Sequence, residues 1–271
     1  MSDTLYTLRD VVCSYDKEKP ILKIKHLDIP AGKLIIMIGK SGAGKSTILE
    51  TLGLMNNTIL KGEIMFYPVK NQEYNLFTLW DDEDKLADVR NNYLSFIFQD
   101  TNLMANFTAY ENACIPQLIQ GVPMDKAMKN VSLAMHQVGI SELKADTKVF
   151  NLSGGQKQRI AFVRAITPDF KVLFGDEPTG NLDTNNSTEL MKVIQHYIHE
   201  HKRSSIIVSH DINLSVEFAD QIIVLIKDGE VGEILQKNIF HSILENGSKL
   251  WLNSEGHQIK DFPRYLQKEL L

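Results

Sequence analysis

Residues 34–38, Leu-Ile-Ile-Met-Ile, form an unbroken apolar run between a turn at Pro30-Ala31-Gly32 and a glycine-rich stretch. A run this short, bounded by turn residues, predicts a strand buried on both faces. Residues 5–15 alternate apolar and polar and predict a half-buried strand, while 95–99, 171–176 and 205–210 predict further short strands. The longer stretches between them suit helices, so the pattern predicts an α/β fold with a largely parallel sheet. One helix is expected from 45 to about 54. The clearest spans 123–139, with Pro123 in its first turn and Gly139 at its end. Ala127, Met128, Val131, Met135 and Val138 then share one face, a packing stripe. Asp228-Gly229, between apolar runs at 221–226 and 230–235, predicts a tight hairpin closing the core. Asp81-Asp82-Glu83-Asp84 reads as a solvated turn. In the mixed tail, 236–271, Trp251, Phe262 and Tyr265 cover either core surface or a partner.

Composition narrows the class. With 271 residues, 43% of them hydrophobic, the chain can build one large domain or two small ones. Its longest apolar runs fall far short of the ~20 residues that cross a bilayer, and Met1-Ser2-Asp3-Thr4 starts no secretory leader. A cytosolic setting is therefore expected. Cys13 and Cys114 belong to no metal-ligand or disulfide pattern and read as two buried thiols. The net charge is −5, with basic residues scattered, which argues against a nucleic-acid partner.

The chemistry begins where the buried strand ends, at Gly39-Lys40-Ser41-Gly42-Ala43-Gly44-Lys45-Ser46. This is the pattern of a phosphate-binding loop, in its expected place between strand and helix. Glycines let successive backbone N–H groups converge on phosphate oxygens, and the helix adds its positive end. Lys45 is expected to reach the β- and γ-phosphates and Ser46 to ligate Mg²⁺; Thr47 completes the nucleotide-binding set. A second strand, 172–176, ends in Asp176-Glu177. Asp176 is the expected metal carboxylate and Glu177 the group that polarises an attacking water. Leu152-Ser153-Gly154-Gly155-Gln156 has capping-box spacing for a helix over 156–166. Two consecutive glycines are not needed for a helix start. They suit close approach to an anion, with the Ser153 hydroxyl as donor.

These motifs, followed by Ser209-His210-Asp211, occur in the order and approximate spacing of the nucleotide-binding subunits of ATP-binding cassette (ABC) transporters, which the chain resembles over residues 5–235. The resemblance implies a P-loop NTPase (RecA-like) α/β core with an inserted helical subdomain and an antiparallel β edge, binding ATP and Mg²⁺. It implies that Tyr15 stacks on adenine, that Gln99 senses Mg²⁺, ligates it and transmits to a membrane partner, and that His210 contacts the γ-phosphate. Asn181-Leu182-Asp183 matches the loop that crosses the dimer interface. The resemblance further implies a head-to-tail dimer of two copies, in which ATP on one loop is completed by Ser153, Gly154, Gly155 and Gln156 of the other. In-line attack of water then yields ADP and phosphate.

Glu177-Pro178-Thr179-Gly180-Asn181-Leu182-Asp183 and Phe96-Ile97-Phe98-Gln99 look like the LolD, MacB and FtsE group, whose ATPases drive separately encoded membrane permeases, many by transmitting motion. That places the chain at the cytoplasmic face of the inner membrane. Gly175 replaces a common alanine, and residues 67–90 form a longer stretch than the pattern has. The expected division is 1–100 with 167–235 as the core, 101–166 as the helical subdomain and 236–271 as a tail of open role. An alternative reading is an ATP-dependent regulatory or signalling module that moves no solute. A soluble relative acting in translation or DNA repair is expected to carry a second cassette or a long coiled coil, and this sequence shows neither; a small-molecule kinase has no use for residues 152–156.

Overall fold

The computed structural model describes residues 4–270. Residues 1–3, read above for a leader, and residue 271 of the tail lie outside the described residues. The chain opens with β1 (Thr4–Cys13), β2 (Leu22–Pro30) and β3 (Leu34–Gly39), then α1 (Lys45–Leu52), β4 (Ile59–Val69) and β5 (Gln72–Asn75). Two helices follow, α2 (Leu76–Leu79) and α3 (Glu83–Tyr93), before β6 (Leu94–Phe98). Three more, α4 (Ala109–Ile119), α5 (Met124–Gln137) and α6 (Gly154–Ile166), precede β7 (Val172–Asp176). The rest is α7 (Thr184–Glu200), β8 (Ser204–Val208), α8 (Ile212–Phe218), β9 (Gln221–Asp228), β10 (Val231–Ile234), β11 (Ile239–Glu245), β12 (Ser248–Leu252) and α9 (Phe262–Glu269).

Five strands run parallel in the order β9-β3-β8-β7-β6. On β3 the side chains alternate between two cores: Leu34, Ile36 and Ile38 enter the layer of α4 to α9, and Ile35 and Met37 enter the layer of α1 and the antiparallel strands. Both faces are covered, so every residue from 34 to 38 is apolar. Burying each such side chain contributes about 1.5–3 kcal/mol.

Several expectations are corrected. β1 ends at Cys13 rather than reaching residue 15, because Asp16 folds the chain back: its carboxylate accepts from the Ser14 hydroxyl and from the Glu18 and Lys19 N–H groups at 2.9 Å each. α1 stops at Leu52, where Gly53 donates to the Leu49 carbonyl and Leu54 turns left-handed at φ 56. The 228–229 hairpin does not close the core. β10 pairs with β9 antiparallel and with β2 parallel, so the hairpin is the seam that joins the parallel sheet to the antiparallel one. The acidic cluster is a helix start, with Asp82 capping α3 through the Lys85 N–H. The long stretch 67–90 holds the end of β4, β5, α2 and most of α3.

The tail joins the core. β11 pairs with the first half of β9 through Ile239↔Ile223, while β10 takes the second half. Trp251 and Phe262 are buried, stacked at 4.6 Å, and Tyr265 packs half-buried against the same cluster. Beside them, the Lys249 ammonium donates to the Glu217 carbonyl at 2.9 Å and lies 5.1 Å from the Trp251 ring. Burial pulls its pKa down to about 8, against the pull of Asp220 and Glu217. From about pH 8 up to the ordinary lysine range the unfolded chain holds a proton that the folded chain has released, so this group makes stability rise with pH across that window. Lys249→Met is expected to flatten that part of the curve, which melting temperatures across the alkaline range will check.

Candidate functional site

Sheet register builds the site. Phe98 pairs with Asp176, Asp176 with Val208, and Val208 with Met37, so β6, β7 and β8 end in one row and β3 runs just past it to Gly39. Adjacent strands are about 4.8 Å apart. The residues that follow the row, Gln99, Glu177, Ser209-His210 and the glycine-rich loop, therefore emerge along one edge of the sheet, at the carboxyl ends where open α/β sheets bind ligands.

The loop is cradle-shaped because two glycines adopt left-handed backbone, Gly42 at φ 72 and Gly44 at φ 87. Gly44 is the N-cap of α1, and the first-turn N–H groups of the helix have no carbonyl partner within it. Ala43 is buried; Lys40, Ser41, Gly42 and Ser46 are exposed, and Thr47 is buried behind them. The half-buried Lys45 folds over the loop, donating to the Gly39 carbonyl at 2.9 Å and the Lys40 carbonyl at 3.1 Å. Burial lowers its pKa, partly offset by the Glu177 and Asp176 carboxylates.

Opposite the loop stands the carboxylate pair. Glu177 has φ 45, a conformation that costs an L-residue about 1–2 kcal/mol. This backbone reversal takes Glu177 off the alternation of β7, and its N–H is held by the Val208 carbonyl at 3.0 Å. His210 Nδ1 lies 3.2 Å from Glu177 Oε2, with the ring nitrogen as donor. Asp176 has its pKa raised by burial first and then by the charges of Glu177 and Glu50, with Lys45 pulling the other way. Three carboxylates thus press on a region with one ammonium among them. Glu50 is engaged by the Tyr15 hydroxyl and the Asn56 amide, so Asp176 and Glu177, with the exposed Ser46 hydroxyl and Gln99 amide, are the hard oxygen donors that would suit a divalent cation carried in with phosphates. Among the described residues no three His, Cys, Asp or Glu are grouped to hold a metal unaided.

Tyr15 is exposed just beyond β1, and its hydroxyl donates to Glu50 Oε2 at 2.7 Å, which ties it to the helix behind the loop. Burial and Glu50 raise its pKa. Sequence reasoning missed Glu50. Its spacing of four from Ser46 places both on one helix face and was the available signal.

Ser153, Gly154, Gly155 and Gln156 lie elsewhere. Ser153 and Gln156 form the reciprocal capping box, with Gln156 N–H to Ser153 Oγ at 3.2 Å and Ser153 N–H to Gln156 Oε1 at 3.0 Å. A Cβ added at either glycine meets nothing within 4 Å. Gly155 lines a depression with Gly139, Leu182 and Asn186, none of them from the phosphate loop. Asp183 caps α7 by accepting from the Asn186 N–H at 3.0 Å, which lowers its pKa. Just before it, the Asn181 amide donates to the Gln99 carbonyl at 3.3 Å. The structure therefore gathers residues 39–47, Gln99, Asp176, Glu177 and His210 at one edge, sets Tyr15 beside α1, and holds 153–156 with Asp183 apart.

A family model described as ABC transporter matches residues 22–180. The macrolide export ATP-binding/permease protein MacB of Vibrio parahaemolyticus is 33% identical over 234 residues, which is 85% of this chain and 34% of that protein. The lipoprotein-releasing system ATP-binding protein LolD of Rickettsia conorii is 32% identical over 222 residues, 79% of this chain and 92% of that one. The chain thus spans about a third of its MacB relatives. Among solved structures, the dimeric bacterial ABC transporter cassette MJ0796 superposes with TM-score 0.71 at 29% identity, covering 85% of this chain and 96% of that one. A post-hydrolysis state of MJ0796 bound to ADP and Pi superposes at 0.68 with 28% identity.

Proposed function

This chain belongs to the ABC transporter family of ATP-binding cassettes and is an ATPase of that family, and we propose that two copies close head to tail on two ATP to drive a separately encoded membrane permease, in the LolD and MacB manner. The observation that carries this reading is the division of the site. Loop, carboxylates and histidine share one sheet edge, while the anion-suited start of α6 stands apart with open space in front of it. A second copy is what brings that helix start to the first copy's phosphates.

In this reading Tyr15 stacks on the adenine and the N–H groups of residues 39–47 and Lys45 hold the phosphates. Ser46 and Gln99, with Asp176, would hold magnesium, which would supply charge neutralisation to the phosphates. Glu177 accepts a proton from the attacking water, whose oxygen forms a bond to the γ-phosphorus as the bond to the β,γ-bridging oxygen breaks. His210 keeps the Glu177 carboxylate aimed and faces the γ-phosphate, and the partner's Ser153 hydroxyl, Gly154 and Gly155 N–H groups and Gln156 meet the developing negative charge. Asp183 fixes the start of α7 at the dimer seam.

Among the described residues no helix is long and apolar enough to cross a membrane, so attachment to the inner membrane's cytoplasmic face falls to the permease. Its docking surface is placed on residues 100–120. Leu103 and Tyr110 pack against the core, whereas Met104 and Phe107 are 42% and 43% exposed. In a Cys114→Ala background, cysteines at Met104 and Phe107 are expected to crosslink to cysteines in the permease's cytoplasmic loops, with yields that differ between ATP and ADP. Absence of these crosslinks alongside strong ones from the tail moves the docking site.

A further inference from the structure

The phosphate loop rests on the β9–β10 hairpin at three successive points. At its start, a Cβ on Gly39 stands 2.6 Å from the Leu225 carbonyl oxygen. At its base, a Cβ on Gly232 lies 2.1 Å from the Ala43 carbonyl oxygen, so β10 reaches the loop only because residue 232 has no side chain. At its lip, the Lys227 ammonium comes within 3.3 Å of where a Cβ on Gly42 projects. Lys227 is exposed at the end of β9 and takes part in none of the ion pairs among the described residues. The ammonium of Lys45 is satisfied by backbone carbonyls rather than by a carboxylate. Lys45 and Lys227 thus flank a nest of backbone N–H groups, with Lys40 in the loop itself, and the natural counter-charge of that nest is a polyanion.

We propose that Lys227 is a further cation of the nucleotide site, a binding residue from outside the glycine-rich motif that captures and orients the polyphosphate of ATP at the lip of the loop. The β9–β10 hairpin is then a wall of the site as well as the seam between two sheets. The signal was absent from the sequence because Lys227 is 185 positions from Gly42 and belongs to no phosphate motif. An exposed ammonium acts through a screened field, so its effect falls on capture of ATP rather than on the chemical step.

This inference rests on the assignment of residues 39–47 as the ATP site, and the test separates the two. Fluorescent ATP and ADP titrations, with KM and kcat for ATP, are measured at low and high salt for the full chain and for Lys227→Ala, Lys227→Arg, Lys227→Glu and Lys45→Ala. Lys227→Ala is expected to weaken ATP binding and raise KM about five-fold at low salt, with kcat within about two-fold. Lys227→Arg keeps the parent affinity, Lys227→Glu loses more than Lys227→Ala, and high salt narrows every difference. Parent-like binding by Lys227→Ala and Lys227→Glu, with Lys45→Ala deficient, overturns the proposal and leaves the site assignment standing. Parent-like binding by Lys45→Ala as well overturns both. A nucleotide-free melting temperature that falls in Lys227→Ala, or a loss that Lys227→Arg does not rescue, also overturns it.

Discussion

Glu177→Gln is expected to bind ATP as the parent chain does and to lose at least about a hundredfold in ATP turnover. A positioned general base contributes about 10²–10⁴-fold, and the amide keeps the shape of the carboxylate without its ability to take a proton. The surroundings make the loss specific. Glu177 sits at the end of β7 with its backbone held by Val208 and its side chain by His210, so the substitution leaves the fold intact. With hydrolysis blocked and binding kept, ATP should hold two copies together long enough for the dimer to appear in size-exclusion chromatography. Phosphate release by the assembled complex at near the parent rate removes Glu177 from the chemistry.

Gly154→Asp is expected to abolish turnover while leaving ATP binding to its own loop unchanged. Gly154 opens α6, and nothing stands within 4 Å of an added Cβ. A carboxylate in the first turn of a helix is favourable, by about 0.3–1 kcal/mol. The isolated variant should therefore melt no lower than the parent. In the proposed head-to-tail dimer the same carboxylate would face the partner's γ-phosphate, and like charges at close range repel. The lesion thus acts in trans. Mixed with Lys45→Ala, it yields heterodimers in which one composite site carries both lesions and the other carries neither, so partial turnover returns. Loss of ATP binding by the Gly154→Asp monomer places residues 153–156 in the chain's own pocket and ends the head-to-tail reading.

Much of this was local in character and so legible in one dimension. An unbroken apolar run is buried on both faces whatever surrounds it, and β3 lies where the run predicts. Glycines before a lysine and a helix set the loop, since their backbone freedom needs no tertiary partner; the capping box of 153 and 156 closes over a single turn. The parallel α/β class and the family followed from such units taken in order. Three-dimensional packing decided the rest. The alternation of residues 5–15 continues past Cys13, but an aspartate turn ends the strand. Asp228-Gly229 dictates a hairpin and says nothing about β2, 200 residues away, which makes that hairpin a seam. Trp251, Phe262 and Tyr265 are apolar whether they cover a core or a partner, and only the docking of the tail through β11 and β9 buries the first two and leaves Tyr265 half-buried against them. Glu50 left a local signal in its spacing of four from Ser46, whereas Lys227 and Gly232 come to lie against the glycine-rich loop only through strand register, and nearness of that kind between remote residues leaves no trace in composition or spacing.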